Sequence, residues 1–349
     1  VQETLLNIYK CVTGTSTNPD DGKGLSGKTG IMNGSALAKT ADYGTRLVIS
    51  APELKVETLD DLMVDTTHCA LPLASALVNF KPFIVFAVKR FFDNEFGGGT
   101  SIPYMATNGK IEYGQVKDYQ MLFSDEEIEK QMARYIHGFS NRFSPVIVQY
   151  VGQDSKVRQG YMIFKGRSVS PKDFKDGKIV GQSSLINRRL TWCDVLYMAA
   201  CEATKDKAVL ITRFPIDSAY NQCPNKVRIS TIKQTEPIVV DSEFYRWYPK
   251  IREEDIGTNT SNKFIDTLNV CNLLLEGFHG DYDGDTVSVK AAWIQETNEE
   301  LFNFMNSKSM YIDFSGNNIR KASNEAIQSL YSMTKVLDED KKKLTQPEF

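Results

Sequence analysis

Long apolar runs are missing from this 349-residue chain. A membrane-spanning helix needs a run of about 18 apolar residues or more, and no such run occurs, so no membrane association is expected. The opening VQETLLNIYK lacks the basic start and apolar core of a secretory signal. An excess of one charge is missing too: 41 Lys and Arg face 44 Asp and Glu, a formal net charge of −3. No global field draws such a chain to phosphate, so it is no obvious free-standing nucleic-acid binder; a local basic groove inside an assembly is compatible with this balance. Histidine is scarce, at three residues. The six cysteines, Cys11, Cys69, Cys193, Cys201, Cys223 and Cys271, form no C-x-x-C and stand at no zinc-like spacing from a histidine. No zinc is expected in this chain, and the thiols read as reduced and structural in a cytosol-like compartment. What is present suffices for a core. The chain is 41% apolar, which rules out disorder as a description of the whole. Its length fits two domains, or one with a large insertion.

Organisation along the chain follows from punctuation and period. Residues 1–10 read as a helical end, and 11–30, rich in Gly, Ser, Thr, Asn and Asp, as a loop. Thr45 to Ile49 has the β-branched content of a strand, stopped by Pro52. Residues 59–68 are connective. From Ala70 an apolar helix is expected, with Leu73, Leu77 and Phe80 at helical spacing. GGGT at 97–100 is a break, and Ser124 with Glu127 makes a capping box for a helix over 125–136. Residues 146–151 and 160–164 read as a strand pair. Trp192, Val195, Leu196, Ala199 and Ala200 mark an amphipathic helix, followed by short strands near 208–213, 226–231 and 236–240. The tail from 297 is helical at both ends, and 338–343 (DEDKKK) is a solvated charge run. No internal repeat is found.

The strongest chemical feature is His279-Gly280-Asp281-Tyr282-Asp283-Gly284-Asp285. Three carboxylates alternate over five residues between the apolar LNVCNLLLEGF and the alternating TVSVKAAW. Gly280 and Gly284 allow a tight bend. Two unit charges 4 Å apart repel by about 4 kcal/mol at an effective dielectric of 20, so converging carboxylates call for a cation. An all-oxygen donor set suits a hard ion, Mg²⁺ above all, and such a site suits two-metal phosphoryl transfer. An EF-hand would need Gly at its sixth position and Glu at its twelfth; Thr286 and Ala292 stand there, so that reading fails. The plain alternative is a solvated acidic turn, which the flanking apolar segments disfavour. A second motif is a decoy. Gly22-Lys23-Gly24-Leu25-Ser26-Gly27-Lys28-Thr29 satisfies the phosphate-loop pattern, but that loop must follow a buried strand, and TGTSTNPDD cannot be one.

The acidic loop resembles the N-A-D-F-D-G-D active-site motif in the largest, β′-type catalytic subunit of multisubunit DNA-dependent RNA polymerases. Other blocks follow in the family's order. Gly27-Lys28-Thr29-Gly30 with Leu37, Lys39, Asp42-Tyr43, Arg46 and Val48-Ile49 fits G-K-x-G…L-x-K-x-x-D-Y-x-x-R-x-V-I without gaps. Cys69-Ala70-Leu71-Pro72 and Phe80-Lys81-Pro82-Phe83-Ile84 resemble C-G-L-P…F-K-P-F-I, and Val209 to Pro215 resembles V-L-L-N-R-A-P. Asn306-Ser307 and the stretch from Ser323 to Thr334 resemble the segment downstream of the acidic loop.

The resemblance implies an α+β chain. A double-psi β-barrel would carry the Asp loop, with an inserted α/β module and flanking helices. It divides the chain into a rudder- or switch-like segment at the clamp base (1–35), the first part of the barrel and its helix (36–92), an inserted module of unknown role (93–190), the rest of the barrel with the catalytic loop (191–296), and a post-barrel helical segment (297–349). It implies that Asp281, Asp283 and Asp285 hold the catalytic Mg²⁺, a second ion arriving with the nucleoside triphosphate. It implies that Arg213 and His279 face the substrate ribose, and that Lys28, Lys39 and Arg46 line the template. Arg213 can donate to a 2′-hydroxyl. The implied activity is Mg²⁺-dependent extension of RNA 3′ ends on a DNA template, only within a multisubunit complex. Departures are His279 in place of the family's Asn, and Ile31, Asn33 and Thr40 where arginines are usual. Segment 11–25 lacks the rudder's basic cluster, and the spacer over 85–190 is longer than the family's. The start upstream of the rudder position and the end after the barrel lead us to expect the clamp, bridge helix and trigger loop on separate chains. A β-like subunit would supply the second barrel, and a further subunit promoter specificity. Such a division resembles the split form of giant-bacteriophage polymerases, expected to act in the bacterial cytoplasm or to be carried in the virion; a trimmed fragment of a longer subunit is the other reading. Two alternatives are a two-barrel polymerase copying RNA, for which no second, lysine-bearing barrel is found, and a non-catalytic assembly scaffold.

Overall fold

The computed structural model describes residues 42–52, 58–97, 101–116, 123–138, 141–152, 154–216, 219–258, 263–313 and 315–321, with positions 327, 328, 331 and 334. The expected features at 1–35, including Lys28, and also Lys39 and the charge run at 338–343, lie outside the described residues. Strand β1 (Gly44–Ser50) contains Thr45, Val48 and Ile49, whose branched side chains suit extended backbone. Strand β2 (His68–Pro72) runs straight into helix α1 (Leu73–Asn79). The helix expected from Ala70 therefore begins three residues later. Cys69, Ala70 and Leu71 are fully buried, and an apolar run in a wall buried on both faces looks the same as a helix start. Phe80 ends α1 and caps α2 (Lys81–Phe96), whose Ile84, Val88, Phe92 and Phe96 fall every fourth residue on the buried side.

Strands β3 (Ile102–Ala106), β4 (Ile111–Gln115), β5 (Ile147–Gly152) and β6 (Val157–Met162) pair antiparallel into a closed four-stranded ring. Tyr104 and Tyr150 stack inside it, 4.8 Å between ring centroids. Gly114 makes room for them, because a Cβ there would lie 2.5 Å from the Tyr150 ring. Helix α3 (Asp125–His137) interrupts the ring, close to the bounds its cap suggested. Ser124 Oγ accepts from the Glu127 amide at 3.4 Å, with acids in the first turn and Arg134 and His137 in the last, complementing the helix dipole. Beyond the ring come β7 (Gly166–Val169), the short hairpin β8 (Phe174–Lys175) and β9 (Lys178–Ile179), and β10 (Ser183–Leu185).

Helix α4 (Trp192–Thr204) is buried on almost every side and not amphipathic as expected. Its single early acid is absorbed internally: Asp194 takes both terminal nitrogens of Arg188 at 2.7 Å and the Tyr248 hydroxyl at 2.8 Å. After α4 come β11 (Ala208–Thr212), β12 (Gln222–Ser230), β13 (Thr235–Val240), β14 (Glu243–Pro249), β15 (Leu268–Asn269), helix α5 (Leu275–Phe278), β16 (Thr286–Ala291) and helix α6 (Gln295–Met305).

Six strands close a second barrel in the order β1-β15-β2-β12-β11-β16. Two of its pairs, β1 with β15 and β2 with β12, are parallel and need long crossovers; the others are antiparallel. Ile49, Leu71, Ile211, Val287 and Val289 are buried in its core. The fold is thus α+β with two closed β-barrels. Residues 93–190 give no strand to the six-stranded ring. Strands β13 and β14 do not join it either; they extend β7 and β10 into a separate sheet, Val239 opposite Arg167. Alternation cannot tell which sheet a strand will join, so strands from either side of α4 in sequence meet there.

Candidate metal centre

Three short pieces build the centre: α5, the loop 280–285 and the start of β16. His279 ends α5 in left-handed backbone, φ 49° and ψ 41°. Its amide donates to Glu276 O and the Gly280 amide to Leu275 O, both at 3.1 Å, so the turn satisfies helix-end carbonyls. Asn and His are among the few non-glycine residues enriched in that conformation, so the backbone alone accounts for His279 where the resembling family has Asn. The His279 side chain is exposed.

The loop alternates. Asp281 and Asp283 are exposed and Asp285 is half-buried, and one carboxylate oxygen from each lies within 4.8 Å of the others. Tyr282 turns inward, its hydroxyl donating to Asn272 Oδ1 at 2.7 Å and lying 3.1 Å from Val270 O, with its ring against the core. Gly284 has φ +119°, a conformation L side chains rarely adopt. Gly280 is needed for closeness, since a Cβ there would meet Asp285 Oδ2 at 3.2 Å and Arg213 Cδ at 3.3 Å. Strand β1 holds the far end, its Ile49 amide donating to Asp285 O at 2.9 Å.

Arg213 arrives by register. β11 pairs with β16, Thr212 opposite Ser288, so the next residue leaves the barrel beside the loop. Arg213 Nε and Nη2 each lie 2.9 Å from Asp285 Oδ2, and Nη1 donates to Phe278 O at 3.2 Å. The Asp281 amide reaches the same Oδ2 at 3.1 Å. These bonds all fall on Oδ2. Burial pushes the Asp285 carboxyl up, but the Arg213 hydrogen bond, the Asp281 amide and the guanidinium charge outweigh it and hold it below the usual range. Asp283 goes the other way, raised by the side-chain hydrogen bond and negative charge of Asp281. The loop thus contains one firmly ionised acid and a pair in mutual repulsion, an arrangement that a divalent cation would relieve. The donor set fits. Adjacent ligands of an octahedral Mg²⁺ are about 2.9 Å apart and opposite ones about 4.2 Å, so the exposed Asp281 and Asp283 side chains would have to rotate inward to hold it, and a larger hard cation needs less.

Arg46 is exposed on β1 and donates from Nε and Nη2 to Thr286 Oγ1 at 3.0 and 2.9 Å, one residue past Asp285. Asp281, Asp283, Asp285, Arg213, His279 and Arg46 therefore gather on one rim. Two contributors were not singled out in the sequence: Tyr282 as the inward anchor, signalled only by its place between alternating acids, and Asn272, which receives its hydroxyl. Among the described residues this is the one group of three metal-ligating side chains. The described cysteines are free, and burial pushes the Cys69 thiol up to about 12 and Cys223 to about 11, far from a reactive thiolate. Comparison with protein-family models and with characterised proteins finds no match to this chain.

Proposed function

We propose that this chain carries the catalytic metal of a DNA-dependent RNA polymerase, as a β′-type fragment that works only in a multisubunit complex. The observation behind this reading is the convergence of Asp281, Asp283 and Asp285 at the edge of a closed barrel with Arg213 bonded to one of them. The two parallel strand pairs of the six-stranded ring support reading it as a double-psi barrel. Asp281, Asp283 and Asp285 would hold Mg²⁺, which would supply positive charge for an attacking RNA 3′-oxygen and a nucleotide α-phosphate, a second ion being expected with the triphosphate. Arg213 occupies Asp285 Oδ2. Tyr282 and Ile49 keep the loop from closing inward. Arg213 retains N–H donors on both terminal nitrogens, placed to meet a ribose hydroxyl of the incoming nucleotide. Arg46 and His279 stand on the same rim, within the part of the surface where template and substrate would pass. On this reading a β-like subunit supplies the second barrel. A specificity subunit selects promoters, and the assembly acts in the host cytoplasm or travels in the virion.

The test is RNA primer extension by the native complex isolated through this chain, with Asp283→Ala beside it. The expected result is Mg²⁺-dependent extension that the substitution abolishes while the complex stays assembled. An intact complex that extends no primer on DNA or RNA would refute the catalytic reading and leave an assembly scaffold; extension on RNA alone would select an RNA-copying enzyme.

A further inference from the structure

A cavity of about 580 Å³ opens between the β12–β13 turn, β14 and the segment around Asp61. It shares no lining residue with the Asp loop. Its walls carry four cationic side chains, Lys233, Arg246, Lys250 and Arg252, against a single carboxylate, Asp61. Asp61 is already used: Arg246 Nη1 lies 2.6 Å from its Oδ1. Arg252 pairs at the exposed rim with Glu254. Lys233 and Lys250 form no ion pair among the described residues. On the floor, Ser230 and Thr231 are each 2% exposed and their hydroxyl oxygens have no hydrogen-bond partner. Buried hydroxyls are nearly always bonded, but these two oxygens are closed to solvent, so the groups open to a ligand are the exposed, unpaired lysines of the wall. Trp247 forms part of the wall, its indole fixed by an N–H donated to Asp61 O at 3.1 Å. Cations and an indole are groups that receive a phosphate ester joined to an aromatic base.

We propose that this cavity is a phosphate-binding site for a nucleotide unit, free or within a strand. It stands on the cavity and not on the polymerase reading, and it is separate from the metal centre. The size fits, since small-molecule sites range over about 300–1,000 Å³.

The experiment uses the full chain in EDTA, so that no metal at the Asp loop can recruit a triphosphate. Two probes are titrated by fluorescence anisotropy: a fluorescent adenosine triphosphate and a labelled 20-nucleotide single-stranded DNA. Lys233→Glu with Lys250→Glu should weaken the bound probe at least about tenfold. For the DNA it should also lower the salt slope by about 1.4, at roughly 0.7 per lost phosphate contact. Both lysines are exposed, so the fold should survive, which a thermal melt checks. Loss confined to the triphosphate identifies a free nucleotide, and loss for the DNA identifies a strand. The proposal is overturned if wild type binds neither probe, if the charge reversal changes nothing, or if reversing the remote exposed Lys110 and Lys156 weakens binding equally.

Discussion

Replacing Arg213 by Met should tighten divalent-cation binding at the Asp loop. The substitution keeps a long unbranched side chain and removes only the charge and its hydrogen bonds. In the structure the guanidinium occupies Asp285 Oδ2, so it neutralises one of the three carboxylates a cation would use. For a divalent ion held about 5 Å from the guanidinium, repulsion is about 1.7 kcal/mol even at the dielectric of water, a lower bound because Arg213 and Asp285 are half-buried. Removing it should raise affinity about tenfold at low salt, shrinking to about fourfold at physiological ionic strength, where the Debye length is about 8 Å. Against this, Asp285 loses a partner that orders it. That loss is partial, since the Asp281 amide still bonds Oδ2 and Ile49 still holds the backbone. Titrating Mn²⁺ into the purified chain and following free Mn²⁺ by electron paramagnetic resonance reads the affinity without the partners. A tenfold weakening would refute the reasoning and make Arg213 a builder of the site; an unchanged affinity would mean that the ion binds away from it. On the polymerase proposal the complex carrying the same variant should lose activity, so affinity and rate should move in opposite directions.

Gly284→Ala should cost about 1–3 kcal/mol through backbone strain alone, because φ is +119° and no atom lies near the added methyl; denaturant unfolding measures this, and a neutral result would mean that the loop relaxes freely. Asp194→Ala should destabilise the chain by about 3–5 kcal/mol, since it strands the buried Arg188 guanidinium; replacing both partners by apolar residues should recover much of that loss in chemical denaturation, and a double variant no better than the single would exclude an uncompensated charge as the cause. Asp65 governs acid sensitivity: burial raises its carboxyl, but the His68 and Thr67 hydrogen bonds outweigh this and set it far below its ordinary 3.8. A depressed folded-state value gives stability that is present above about pH 4 and is lost as pH falls through the folded value. Asp65→Asn should therefore flatten the stability–pH curve below about pH 4, and an unchanged acid limb would show that other carboxylates control it.

Local chemistry was legible from residue order wherever it depended on neighbours. The cap at Ser124 placed a helix, β-branched content placed β1, and the spacing of Asp281, Asp283 and Asp285 already required three acids on one short loop. Misjudgements arose where one local pattern serves two environments. Ala70 to Pro72 looked like the first turn of a helix because a strand in a barrel wall buries consecutive residues, as a helix interior does. Helix α4 looked one-sided because Asp194 counts as polar in sequence, while its charge is spent on Arg188 inside the protein.

By itself the sequence determined the acidic loop, the glycines that let it bend, and most helices, because backbone preference and charge spacing act over a few residues. Only the tertiary structure decided that six strands close a ring, that β13 and β14 leave it for the sheet of β7, and that Arg213 bonds Asp285 across 72 positions of chain. It also brought Lys233 and Lys250 to one cavity above Ser230 and Thr231. Pairing register and burial set those relations, and neither is encoded in any short window of residues.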